Sequence, residues 1–139
     1  ARRDIVVFIR RRRWRRLSTA LGLLVKVVEE LMEVAARDTD LLVSLDEKGD
    51  QFYLSRDVEF LLRAPDKERA NLVASFINDY RYGLATAQEH EGEHSVLVVI
   101  NMPVKQSEIL SVSGFMVCLA HLYSMEYDGW GCVVQRAQT

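Results

Sequence analysis

The feature that most constrains this chain is a change of hydrophobic period, repeated in a fixed order, between Arg56 and Val134. Val58, Phe60 and Leu62 alternate with Asp57, Glu59 and Arg63, the two-residue period of a half-buried strand. Ala70, Val73, Phe76, Ile77 and Tyr80 then recur every three or four residues, which lines them on one face of a helix. Pro65 suits the first turn of that helix, Asp66 and Glu68 suit its positive end, and Gly83 is placed to cap its far end. Residues 84–89 and 95–102 read as two strands joined by a tight turn around Glu91, Gly92 and Glu93. The second is nearly all apolar from Val96 to Ile100, as a central strand is. Pro103 stops it. Ile109, Val112, Phe115, Met116, Leu119 and Leu122 predict a long helix, and residues 126–134 a last strand broken by two glycines. The order is β-α-β-β-α-β. It predicts an α+β fold of the ferredoxin-like, split β-α-β kind: four antiparallel strands with two helices on one face.

Such a sheet leaves its second face bare, so the preceding residues matter. Leu17, Leu21, Leu24, Val28, Leu31 and Ala35 alternate spacings of four and three, and Val25 and Met32 widen the stripe. They predict an amphipathic helix over 17–36, ended by Asp38, Thr39 and Asp40 and followed by a connector with room for a short strand. Two uses suit the helix: covering the open sheet face, or pairing with a second copy along the seam from Leu17 to Ala35. The chain then divides into a basic arm (1–16), an N-terminal helix and connector (17–55), the sheet domain (56–134) and a tail (135–139).

Charge is distributed unevenly. Residues 1–16 hold eight arginines against Asp4, a net of +7, whereas residues 17–139 carry a net of −9. Asymmetry of this kind speaks to partners rather than fold. The run Arg10, Arg11, Arg12, Arg13, Trp14, Arg15 and Arg16 suits a polyanion, either nucleic acid, with arginines on phosphates and the indole stacked on a base, or an anionic membrane surface. A merely solvated basic tail has the same composition. No apolar run reaches the length of a membrane span, and no signal peptide is expected. Cys118 and Cys132 lack ligand spacing; they read as free thiols in a reducing, cytoplasmic setting.

His90, Glu91, Gly92, Glu93 and His94 match the H-E-x-x-H pattern of zinc proteases. That chemistry needs a helix, so that both imidazoles leave one face with the glutamate beside the bound water. Here the match straddles an expected hairpin tip, and the reading is an exposed polar turn. No nucleophile-base order, phosphate-cradling loop or paired carboxylate set stands out. No enzyme activity, metal or cofactor is expected.

What remains is Glu126, Tyr127, Asp128, Gly129, Trp130 and Gly131. Strands avoid glycine, so two around a tryptophan predict a bulge that re-aims a large side chain. Tyrosine and tryptophan are also enriched in binding hot spots, and all six residues are candidate partner contacts. Trp130 is expected to pack over the last helix, and Tyr127 and Asp128 to lie at the surface. This segment, with RDVEFLLRAPDKE (56–68) and the aromatic-glycine step YRYGL (80–84), resembles the RraB family, regulators of ribonuclease E activity, over about 80 residues. The resemblance implies a bacterial, non-catalytic inhibitor that binds ribonuclease E or a related RNA-processing complex and alters RNA turnover. An acidic body would dock on an arginine-rich, RNA-binding scaffold region by charge complementarity. The alternative function is a nucleic-acid-binding module led by the arginine arm.

Overall fold

The computed structural model describes residues 20–137. Its elements are α1 (Ala20–Glu47), β1 (Arg56–Ala64), α2 (Lys67–Asp79), β2 (Leu84–His90), β3 (Glu93–Met102), α3 (Gln106–Leu122) and β4 (Glu126–Cys132). The strands form one antiparallel sheet in the order β2-β3-β1-β4, which is the predicted split β-α-β arrangement.

The alternation in β1 sets the layers. Val58, Phe60 and Leu62 are fully buried, while Asp57 and Glu59 are exposed. Register carries the inner face across the sheet: Val98 and Trp130 flank Phe60, Val96 and Tyr127 flank Leu62, and Cys132 flanks Val58. Ala70, Val73 and Ile77 of α2 and Ile109, Met116 and Val117 of α3 complete this core.

Local chemistry explains most element boundaries. Asp66 caps α2 by accepting a hydrogen bond from the Arg69 N–H at 2.8 Å. The β2–β3 hairpin turns on Glu91 (φ 52°) and Gly92 (φ 79°), the paired positive φ values that suit the right-handed twist of two-residue hairpins.

Three expectations need correction. First, α1 does not end near Ala36; it runs on to Glu47 through Asp38, Thr39 and Asp40. Aspartate and threonine are weak helix formers. Here Asp38 is held by a buried hydrogen bond and Leu41, Leu42 and Leu45 continue the buried face, so packing overrides propensity. Residues 50–55 accordingly hold only an isolated bridge, Asp50 to Arg136, and no strand. Second, α1 does not cover the open sheet face. It lies in the helical layer against α3, where Gln106 Nε2 donates to Thr39 Oγ1 at 3.2 Å and Glu30 meets His121. Third, Gly83 is not the cap of α2. Tyr80 is the cap residue, Arg81 takes the left-handed turn (φ 58°), and the Tyr82 N–H returns to the Ile77 carbonyl at 3.0 Å.

Gly83 is instead demanded by crowding. A Cβ there would sit 2.8 Å from Ile100 Cγ1 and 3.0 Å from Val98 Cγ1. Gly83→Ala is therefore expected to cost about 1–3 kcal/mol, the usual range for overpacking a tight site. Urea unfolding midpoints check this; an unchanged midpoint contradicts the close approach.

Candidate functional site

β4 is an edge strand, and its sequence breaks the ladder. The register to β1 shifts between Leu61 and Leu62, so that Leu61 faces Gly129, Leu62 faces Tyr127, and Asp128 is the extra residue. This is the expected bulge, and Gly129 takes φ 112° within it, a value that side chains with a Cβ rarely adopt.

The bulge sends the two aromatic side chains inward. Tyr127 is fully buried and Trp130 is 2% exposed. The Tyr127 hydroxyl lies 2.9 Å from Ser113 Oγ on α3, and the Trp130 indole N–H donates to Asp38 Oδ1 on α1 at 2.9 Å. The expected surface position of Tyr127 is thus corrected. The extra residue in the bulge brings its side chain onto the face shared with Leu62, where α3 supplies a hydroxyl. Asp128 is also buried, with its carboxylate on Arg63 Nε at 2.6 Å. Of the six residues, Glu126 and Gly129 keep partial exposure.

Asp38 is the least comfortable group in this cluster. Its Oδ2 is buried with no hydrogen-bond partner among the described residues. Burial pushes its carboxyl above the usual range, and nearby Ser113, the Trp130 hydrogen bond and the Arg37 charge offset only part of this. Burial likewise raises the Tyr127 hydroxyl, and the Asp38 charge adds to it. A crevice of about 10 Å³ opens here between Val34, Arg37, Asp38, Leu41, Tyr127, Gly129 and Trp130. That is room for about one water, not for a substrate.

A second polar knot secures the end of the sheet. Arg56 is 4% exposed and grips Asp50 with both terminal nitrogens, while donating to the Gln51, Leu54 and Val133 carbonyls. Asp50 Oδ2 also accepts from the Gln135 N–H at 3.0 Å. Cys132 beside it is buried, and burial pushes its thiol up to about 11; Cys118, by contrast, is exposed on α3.

The opposite, outer face of the sheet is open among the described residues. Register places Leu84, Val99, Glu59 and Gly131 in one row across it, and Thr86, Leu97, Leu61 and Gly129 in the next. Leu84 is 68% exposed, and Leu61, Leu97 and Val99 are half-buried. Asp57 and Glu59 are exposed at one end, and at the other Arg63 faces Glu126 and pairs with Asp128. The face is apolar along its middle, acidic at the Asp57 and Glu59 end, and of mixed charge at the other. Sequence reading missed this row because attention fell on the inward residues. The signal was the other half of the β1 alternation, Asp57 and Glu59 before Leu61.

The H-E-x-x-H match falls on the hairpin as expected. His90 pairs with Glu93, and His94 with Glu89. His94 shares the inner parity of Val96 and Val98, whereas His90 shares the outer parity of Thr86 and Gln88. The two imidazoles therefore leave opposite faces of the sheet, which a shared metal ligand pair cannot do. His121 of α3 is half-buried against Glu30. Arg10, Arg11, Arg12, Arg13, Trp14, Arg15 and Arg16, the polyanion candidates, lie outside the described residues. Among the described residues no helix is long and apolar enough to cross a membrane.

Two substitutions test the Asp38 cluster. Asp38→Ala leaves the Trp130 N–H buried without its acceptor and is expected to cost about 1–3 kcal/mol. Asp38→Asn keeps an acceptor but cannot ionise. Because the folded carboxyl titrates above its unfolded value of 3.8, the folded state binds the proton more tightly. The wild type then loses stability against Asp38→Asn as pH rises from about 4 toward neutrality. Denaturant unfolding across that range checks the trend; a gap independent of pH contradicts it.

A search of curated proteins returned no significant match to the chain. A family model described as regulator of ribonuclease activity B, RraB, matches residues 35–132. The match begins inside α1, three residues before Asp38, and ends at Cys132, the last residue of β4. It takes in the Asp38–Trp130 tie, the bulge and the whole sheet, and on that span the chain belongs to the RraB family of ribonuclease regulators.

Proposed function

We propose that this protein is a non-catalytic regulator that binds an endoribonuclease of the ribonuclease E type, or a complex built on it, and lowers RNA cleavage. The observation that carries this reading is the open outer face of the sheet. Leu61, Leu84, Leu97 and Val99 form its apolar middle, and Asp57, Glu59 and Glu126 supply negative charge around it. An apolar centre with a charged rim is the usual build of a protein interface, and an acidic rim steers encounter with a basic partner. The family's regulatory role supports a protein partner.

In this reading the EYDGWG segment works in two parts. Tyr127, Asp128 and Trp130 anchor β4 from within, while Glu126 and the backbone at Gly129, the two partly exposed residues, present the edge of the docking face. Gly129, partly exposed and without a side chain, is the point at which a partner would lie flat against β4.

The test is RNA cleavage by a purified ribonuclease E-type enzyme with this protein added in stoichiometric amounts. Cleavage is expected to slow. The double charge reversal Asp57→Lys with Glu59→Lys, at two exposed positions, is expected to weaken inhibition about tenfold or more while leaving the unfolding midpoint nearly unchanged. No inhibition by the wild-type protein, or full inhibition by the double variant, contradicts the reading.

A further inference from the structure

The Asp38 carboxylate has only half of its hydrogen bonding supplied by the domain. Oδ1 accepts from the Trp130 indole at 2.9 Å, whereas Oδ2 is buried with no hydrogen-bond partner among the described residues. The residue as a whole is 4% exposed. An acceptor left in this state is costly, and its neighbours do not relieve it. The Ser113 hydroxyl is engaged with Tyr127 at 2.9 Å. Burial disfavours the charged carboxyl, and the Arg37 charge offsets only part of that without supplying Oδ2 with a hydrogen bond.

Asp38 is also one wall of the crevice of about 10 Å³ between α1 and β4. That volume admits one water-sized group. Among cationic donors a lysine ammonium has this size: it is a compact point charge with three N–H groups, whereas the planar guanidinium of arginine is larger. Val34 and Leu41 line the same crevice and offer an apolar wall for the methylene stem of a lysine. On the strand side the lining is Gly129, which adds no side chain. Gly129 also stands beside Leu61 in the outer row of the sheet, so the crevice adjoins the docking face proposed above.

We propose that this crevice is a socket for one lysine of a protein partner, whose ammonium donates to Asp38 Oδ2 and completes the carboxylate that Trp130 holds from the other side. The charge-assisted bond replaces an orphaned acceptor with a paired one. A partner lying over the outer face of the sheet then gains a fixed point at the β4 edge. That the partner is a ribonuclease E-type protein rests on the function proposed above; the socket itself does not.

The Trp130 indole N–H reports on the same carboxylate, so its resonance in the labelled full chain is the readout. Methylammonium is added first, with tetramethylammonium and guanidinium as controls of equal charge and larger size. Methylammonium is expected to move the resonance in a saturating way, at a concentration about tenfold or more below either control. Asp38→Asn keeps an acceptor for the indole but not the charge, and is expected to weaken the response about tenfold. A resonance that ignores methylammonium, as it would with a water only in the crevice, or that answers all three cations alike, overturns the proposal. A second arm adds a ribonuclease E-type protein, either native or with its lysines dimethylated, which keeps their charge and enlarges the ammonium. Binding is read from the β1 amides. The native protein is expected to move the Trp130 resonance, and the dimethylated one to bind without moving it. A native partner that binds and leaves Trp130 unmoved contradicts the lysine socket, whereas one that does not bind at all contradicts the ribonuclease reading.

Discussion

The hydrogen bond from the Trp130 indole to Asp38 Oδ1 is the interaction on which the layout of this molecule turns. It joins the sheet's last strand to the helix that precedes the sheet domain, across 92 residues of sequence. Its donor reaches inward because β4 bulges at Asp128 and Gly129, and its acceptor is in place because α1 continues through a segment rich in weak helix formers. Without the bulge the indole loses its inward register; without Asp38 the buried N–H has no acceptor. The same tie fills the core beside Phe60 with a large aromatic and leaves Gly129 partly exposed at the outward edge. A single local irregularity thus serves packing on one face and accessibility on the other.

The strand and helix periods between Arg56 and Val134 were legible because each element buries one face against one layer. For β1 in particular, alternation alone gives the start, the inward set and the outward set. The long-range polar ties were not legible. Asp38, Asp50 and Arg56 look like ordinary surface charges in sequence, and their burial follows from contacts with Trp130, with Gln135 and with one another. The end of α1 was misplaced for that reason, since local propensity at Asp38, Thr39 and Asp40 points to a stop that tertiary packing overrules.

The candidate site shows the same division. The aromatic residues of EYDGWG drew attention as surface contacts because tyrosine and tryptophan populate interfaces. Their burial reassigns them as anchors, and the proposed contact surface moves to what stays partly exposed, Glu126 and Gly129, and to the neighbouring outward residues Asp57, Glu59 and Leu61. A segment can therefore mark a family through its structural demands, here a bulge needing Gly129 and an inward indole, while the proposed recognition falls on plainer residues beside it.

The central claim is that the open face of the sheet binds the ribonuclease partner. Backbone amide chemical shifts of the labelled protein, recorded as a ribonuclease E-type partner is added, test it most directly. The account predicts shifts concentrated at residues 57–61 of β1, 97–99 of β3 and 126–131 of β4, with α2 and the exposed side of α1 unaffected. Shifts confined to the helical layer or to the arginine arm, with the sheet unchanged, would contradict it.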